Sequence, residues 1–128
     1  MPERTLRFGI LRTANIARVA VIPAIKTSRN GDVRAVASRN RERAYAFASD
    51  LGIPQSYGSY EALLDAEDVD AIYIGLPNSL HCEWTVKAAE AGKHVLCEKP
   101  LVVSLAELDR VEAAASKAGI TVFEAFMY

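Results

Sequence analysis

The sequence predicts an α/β fold: a doubly wound parallel sheet of the Rossmann type, in three αβα layers. Three observations carry that expectation. Apolar stretches of strand length alternate with segments whose apolar residues recur at helical spacing. The strand-like stretches are separated by about 22 to 38 residues, which leaves room for a crossover helix between successive strands. One of them, Ala71-Ile72-Tyr73-Ile74, is apolar throughout, the pattern of a strand covered on both faces. Right-handed crossovers then wind the sheet, and ligands in such folds bind outside the carboxyl ends of the strands.

Leu6 to Leu11 reads as the first strand. Ile16, Val19, Ala20 and Pro23 follow at helical spacing, and Pro23 kinks or shortens that helix. The turn signal Asn30-Gly31-Asp32 introduces a strand from Val33 to Ala37. Asn40 is placed to cap a helix with Ala44, Phe47, Ala48 and Leu51 on one face and Gly52 beyond its end. Ile53-Pro54 breaks the chain, and Ser59 opens a short helix through Leu63 and Leu64. After the apolar strand 71–74, Pro77-Asn78-Ser79 starts a helix capped by Asn78 or Ser79, with Trp84 and Ala88 inward and Gly92 at its end. His94 to Cys97 is the next strand. Ser104 and Glu107 form a capping box for a helix that turns Leu105, Leu108 and Val111 inward and stops at Gly119. Ile120 to Phe123 is the last strand.

Composition narrows the function classes. Of 128 residues 51% are hydrophobic, so a packed core is expected and disorder is excluded. Fifteen Lys+Arg against sixteen Asp+Glu give a formal charge of −1, which argues against a nucleic-acid partner. The two cysteines, Cys82 and Cys97, make no disulfide framework and no metal-ligand spacing, and Cys97 reads as buried and inert. No apolar run is long enough to span a membrane, and the N-terminal apolar stretch is too short for a signal peptide. A cytoplasmic domain with a small-molecule substrate is the expectation.

The turns after the strands carry the candidate chemistry. A dinucleotide fingerprint G-x-G-x-x-G/A maps onto Arg12, Ala14 and Ala17, with Thr13, Asn15 and Ile16 between them. Arg12 departs from the pattern. Its side chain either obstructs the dinucleotide or swings out and pairs with phosphate. After the second strand, where an NAD site places a carboxylate on the ribose, the sequence is Ser38-Arg39-Asn40-Arg41, with Arg43 following. A hydroxyl and guanidinium groups suit a 2′-phosphate, so NADP is favoured over NAD; the plainer reading is a solvated face of Arg39, Arg41 and Arg43. Gly75-Leu76-Pro77-Asn78-Ser79-Leu80-His81 follows the apolar strand, at the height of a nicotinamide ribose. His81 there is either a contact or a core histidine. Glu98-Lys99-Pro100 ends the next strand. Lys99 is suited to orient a substrate hydroxyl or move a proton, and Glu98 to hold it; the alternative is a surface ion pair.

Pro77-Asn78-Ser79-Leu80-His81 and Ala91-Gly92-Lys93-His94-Val95-Leu96-Cys97-Glu98-Lys99-Pro100 strongly resemble the Gfo/Idh/MocA oxidoreductases. Phe8-Gly9-Ile10-Leu11, Thr13 to Ala17, and Glu124-Ala125-Phe126-Met127-Tyr128 are similar too, so the resemblance spans nearly the whole chain. It implies that residues 1–128 are an NAD(P)-binding Rossmann domain and that the family's C-terminal α/β domain, with its substrate pocket, is absent. It also implies hydride transfer between the nicotinamide and a sugar, cyclitol or diol-type hydroxyl or carbonyl. By the same resemblance Lys99 stands beside nicotinamide and substrate, Ser38 and Arg39 lie on the 2′-phosphate, and Pro77, Asn78 and His81 match the segment lining the nicotinamide ribose; Leu76 in the same turn is a further candidate for cofactor contact. The chain alone is then expected to bind the dinucleotide and turn over poorly, with a homo-oligomer or the missing domain as its protein partner. The rival expectation is a non-catalytic, degenerate nucleotide-binding module.

Overall fold

A computed structural model describes residues 5–13, 17–99, 101–102 and 104–125, with Arg18, Val19 and Ala125 described in backbone only. Ala14, Asn15, Ile16 and Pro100, singled out above, lie outside the described residues. The strands are β1 (Leu6–Leu11), β2 (Gly31–Ala37), β3 (Gln55–Tyr57), β4 (Ala71–Ile74), β5 (His94–Glu98) and β6 (Val122–Ala125). The helices are α1 (Ile22–Thr27), α2 (Arg41–Leu51), α3 (Tyr60–Leu64), α4 (His81–Glu90) and α5 (Leu105–Ala118). All strand pairs are parallel and the sheet order is β3-β2-β1-β4-β5-β6. This is the doubly wound dinucleotide-fold order, with its switch point between β1 and β4.

Alternation along the strands divides the core between two faces. Ile10, Val33, Val36 and Tyr73 pack under α1 and α2 with Ile22, Ile25, Phe47 and Ala48. Leu11, Ala35, Ala37, Ile72, Ile74, Val95 and Cys97 pack under α3 and α4 with Leu63, Leu64, Trp84 and Ala88. β4 therefore meets a core on both sides, and each large side chain buried this way contributes roughly 1.5–3 kcal/mol. The caps read from the sequence are formed: Asn40 accepts from Arg43 N–H, Ser59 from Ala62 N–H and Ser104 from Glu107 N–H. Gly52 and Gly119 end their helices at φ 67° and 71°.

Five differences have physical reasons. Pro23 does not kink a helix: a π-helical turn at Ala17–Val21 precedes α1, and the proline falls in α1's first turn, where no N–H is needed. β3 escaped the pattern because Gln55-Ser56-Tyr57 is a half-buried edge strand with no apolar run. Neither Asn78 nor Ser79 caps α4; a 3₁₀ turn at Asn78–Leu80 leads into it, and α4 has no side-chain cap. Leu105 faces outward at 80% exposure, at the N-terminal end of α5, whereas Val111 is buried against the body. β6 starts at Val122 instead of Ile120, set by its pairing of Val122 to Val95. Phe123 on β6 is 63% exposed and, with Phe8, Ala71 and Leu96, lines an apolar hollow.

Candidate functional site

The strands are parallel, so the carboxyl ends of β1, β2, β4 and β5 lie at the same end of the sheet, and most of the candidate residues that are described follow them in the chain. Arg12 follows β1 directly. Its φ is 82°, which makes it the one non-glycine among the described residues with a left-handed backbone. Its N–H donates to Ala37 O at 2.8 Å, so the turn between β1 and the end of β2 is held by backbone. The fold thus keeps a glycine-type conformation at the fingerprint's first place and makes an arginine adopt it. The guanidinium reaches across the switch point, where Nη1 donates to Gly75 O at 3.4 Å. Thr13 beside it is half-buried.

At the end of β2, Ser38 is buried, its N–H donates to Tyr57 O, and its Oγ accepts from Asn40 N–H at 3.2 Å. Arg39 and Arg43 are exposed. Arg39 lines a cavity of about 360 Å³ with Gly58, Ser59, Tyr60, Glu61, Leu80, Glu83 and Trp84. Tyr60 and Trp84 meet edge to face there, with ring centroids 5.2 Å apart. Burial raises the Tyr60 phenol above its ordinary value, while Arg39 and then Arg12 act the other way, so both cations are felt at this ring. Glu61 and Glu83 make the cavity's charge mixed, and an anion would be drawn to the Arg39 side.

After β4 the chain runs through Gly75 and buried Leu76 to exposed Pro77 and Asn78. His81 is placed differently from its neighbours. It is 1% exposed, and its Nε2 donates to Leu76 O at 2.6 Å. In this arrangement it supports the turn from behind, and its effect on a ligand passes through Leu76. At the end of β5, Glu98 is half-buried and accepts a hydrogen bond from the Tyr73 hydroxyl, while Lys99 is exposed. Burial first, and then the bond to Glu98, push the Tyr73 phenol well above its ordinary value. Cys97 is buried, and burial raises its thiol to about 12, consistent with an inert role.

Lys93 sits at the other end of β5. Its Nζ donates to Ala66 O at 2.6 Å and Val69 O at 2.7 Å, anchoring the loop before β4. Burial lowers its ammonium below the ordinary lysine value. The segment from Gly92 to Lys99 therefore has a buried, hydrogen-bonded lysine just before the strand and an exposed lysine just after it. The sequence reading missed Tyr73 and the Tyr60–Trp84 cavity. A tyrosine inside an apolar strand was the available signal, because a buried hydroxyl requires a partner. Among the described residues no His, Cys, Asp and Glu groups of three are placed to hold a metal, and no helix is long and apolar enough to cross a membrane.

A model of an oxidoreductase family with an NAD-binding Rossmann fold matches residues 6–126. Among curated relatives, D-xylose 1-dehydrogenase (NADP(+)) 2 of Haloferax volcanii is 52% identical over 96% of this chain and 38% of its own length. dTDP-3,4-didehydro-2,6-dideoxy-alpha-D-glucose 3-reductase of Actinomadura kijaniata is 41% identical over 96% of this chain and 37% of its own. The crystal structure of KijD10, a 3-ketoreductase from Actinomadura kijaniata in complex with NADP, superposes with a TM-score of 0.88 at 40% identity; the match covers 96% of this chain and 39% of that one. The chain thus spans little more than a third of the length of such relatives.

Proposed function

The chain belongs to the GFO_IDH_MocA oxidoreductase family, and on that premise we propose that it is the nucleotide-binding domain of an NADP-dependent sugar oxidoreductase. The observation that carries the cofactor choice is the end of β2. No carboxylate stands there to accept from a ribose 2′-hydroxyl, and Ser38, Arg39 and Arg43 gather hydroxyl and guanidinium donors instead. The names of relatives point the same way: NADP(+) is written into the xylose dehydrogenase, and NADP is bound in the 3-ketoreductase structure. The left-handed backbone at Arg12 fits the group as well, since it preserves the tight turn that brings backbone close to a pyrophosphate.

Arg39 and Arg43 would hold the 2′-phosphate, with Ser38 setting the turn beneath it. Arg12, Thr13, Ala14, Asn15 and Ile16 would surround the pyrophosphate, and Arg12 would exchange its long bond to Gly75 O for a phosphate oxygen. Leu76, Pro77 and Asn78 would line the nicotinamide ribose, with His81 bracing them. Bound NADP supplies or accepts the hydride. Lys99 would hold or move the proton on the oxygen of a sugar, cyclitol or diol-type hydroxyl or carbonyl, and Glu98 would keep the lysine's turn in place. A degenerate module is the less favoured reading, because the oxidoreductase family model matches residues 6–126 and a relative named as an NADP(+) xylose dehydrogenase is 52% identical over 96% of this chain.

Titration of this chain with NADPH and NADH, with and without Arg39→Ala, tests the reading. NADPH should bind more tightly, and Arg39→Ala should weaken it about tenfold or more while leaving NADH nearly unchanged. Equal affinity for the two cofactors, unmoved by Arg39→Ala, would overturn the NADP assignment. Steady-state turnover of sugars by this chain alone is expected to be very low, for want of a closed, dry site.

A further inference from the structure

The Tyr73 side chain is completely buried in the middle strand of the sheet, yet its hydroxyl ends at the crevice. Two local features send it there. Tyr73 lies opposite Ile10 on β1 and Leu96 on β5, so its ring is held between apolar neighbours and can extend only along the strand. Gly75, two residues on, leaves the space it needs: a Cβ at Gly75 would stand 3.1 Å from Tyr73 Cε1 and 3.7 Å from its hydroxyl. At the end of that path the hydroxyl donates to Glu98 Oε2. Gly75 O in turn accepts from the Arg12 guanidinium. The ends of β4 and β5 are thus tied by a side-chain bond from below the crevice.

A buried phenol donating to a half-buried carboxylate is a charge-assisted bond, shielded from water on the tyrosine side. Its direction is set, since an ionised carboxylate only accepts. It therefore fixes one carboxylate oxygen and leaves the other oriented, together with the Glu98–Lys99 turn that follows. The half of the sheet formed by β4, β5 and β6 serves the second mononucleotide of a dinucleotide, the nicotinamide half.

We propose that Tyr73 is a positioning residue of this crevice, whose hydroxyl holds the Glu98 carboxylate, and through it Lys99, in register with the nicotinamide end of the cofactor. The proposal rests on the reading of the crevice as an NADP site, and its test separates the two. The probes are NADPH and 2′-phospho-ADP-ribose, which is the same molecule without the nicotinamide. Isothermal titration of the wild-type chain, Tyr73→Phe, Glu98→Ala and the double variant measures both affinities. Thermal melts accompany them.

Tyr73→Phe keeps the ring and loses only the hydroxyl. It should weaken NADPH by roughly five- to tenfold and leave 2′-phospho-ADP-ribose within about twofold. Glu98→Ala, at a partly exposed strand end, should show the same split, and Tyr73→Phe should add little on top of it. A merely structural tyrosine would weaken both ligands together, and that result overturns the proposal. Unchanged affinity for both, or full additivity in the double variant, overturns it too. Failure of the wild-type chain to bind either ligand overturns the NADP reading and the proposal with it.

Discussion

Replacing Arg12 by glycine should make the domain more stable, although it removes a side chain that makes a hydrogen bond. At φ 82° the Arg12 Cβ crowds its own backbone, and holding a residue with a side chain there costs about 1–2 kcal/mol. Glycine adopts that conformation freely but gains freedom in the unfolded chain, which returns about 0.5–1 kcal/mol of the benefit. The lost bond to Gly75 O is 3.4 Å long and partly exposed, so its contribution is near zero. The net gain is about 0.5–1 kcal/mol, and for a domain of this size that moves Tm up by roughly 2–4 °C. Arg12→Ala supplies the control. It removes the same guanidinium and keeps the Cβ in the left-handed region, so its Tm should be unchanged or slightly lower. Calorimetric melts of the three proteins at pH 7, without cofactor, read the difference. If alanine raises Tm as much as glycine does, the guanidinium and not the backbone is the source of strain. A lower Tm for the glycine variant would refute the reasoning outright.

Stability should also fall as the solution becomes alkaline. Cys97 has a folded-state value raised to about 12, and Tyr73 lies well above the ordinary phenol range. The native state therefore keeps protons that the unfolded chain gives up. Stability is intact below the ordinary thiol range and declines from about pH 9 to 12, by at most about 1.4 kcal/mol per pH unit for each group. Urea midpoints across that range should show the decline, and Cys97→Ala should flatten it; an unchanged slope in that variant would remove Cys97 from the account. In the folded chain at pH 8, Cys97 should resist iodoacetamide and become reactive only in denaturant, as mass spectrometry of the labelled peptide would reveal. Lys93→Met should cost about 1–3 kcal/mol, because it strands the carbonyls of Ala66 and Val69, which the ammonium now bonds at 2.6 and 2.7 Å. A methionine variant with a higher urea midpoint would mean instead that burying the charge outweighs those bonds.

Much of this molecule is local in origin, and to that extent it was legible in the chain. The caps at Asn40, Ser59 and Ser104 act over three residues, and Gly52 and Gly119 need only a left-handed φ at a helix end. Ala71 to Ile74 announces burial on both faces by composition alone. The charge of the β2 turn is equally visible, because the absence of a carboxylate from Ser38 to Arg41 is a matter of residue types. The segment Gly92 to Lys99 carries its family resemblance in the letters themselves.

Other decisions depend on partners far away in the chain. β3 exists because three half-buried residues pair with Ala35 to Ala37 at the sheet's edge, and nothing in Gln55-Ser56-Tyr57 demands a strand. The sequence left His81 as either a contact or a core histidine; its burial and its bond to Leu76 O come from the packing. Lys93 and Lys99 are six residues apart in one motif, yet a five-residue strand carries them to opposite ends of β5, one into carbonyls and one into an exposed position. Tyr73 and Glu98 meet only because β4 and β5 are neighbours. The sequence by itself determined most of the elements and the fold, since periodicity, caps and residue chemistry are properties of short stretches. Tertiary structure alone decided which polar side chains serve the crevice and which serve the core, because a buried group takes whatever partner the packing brings within reach.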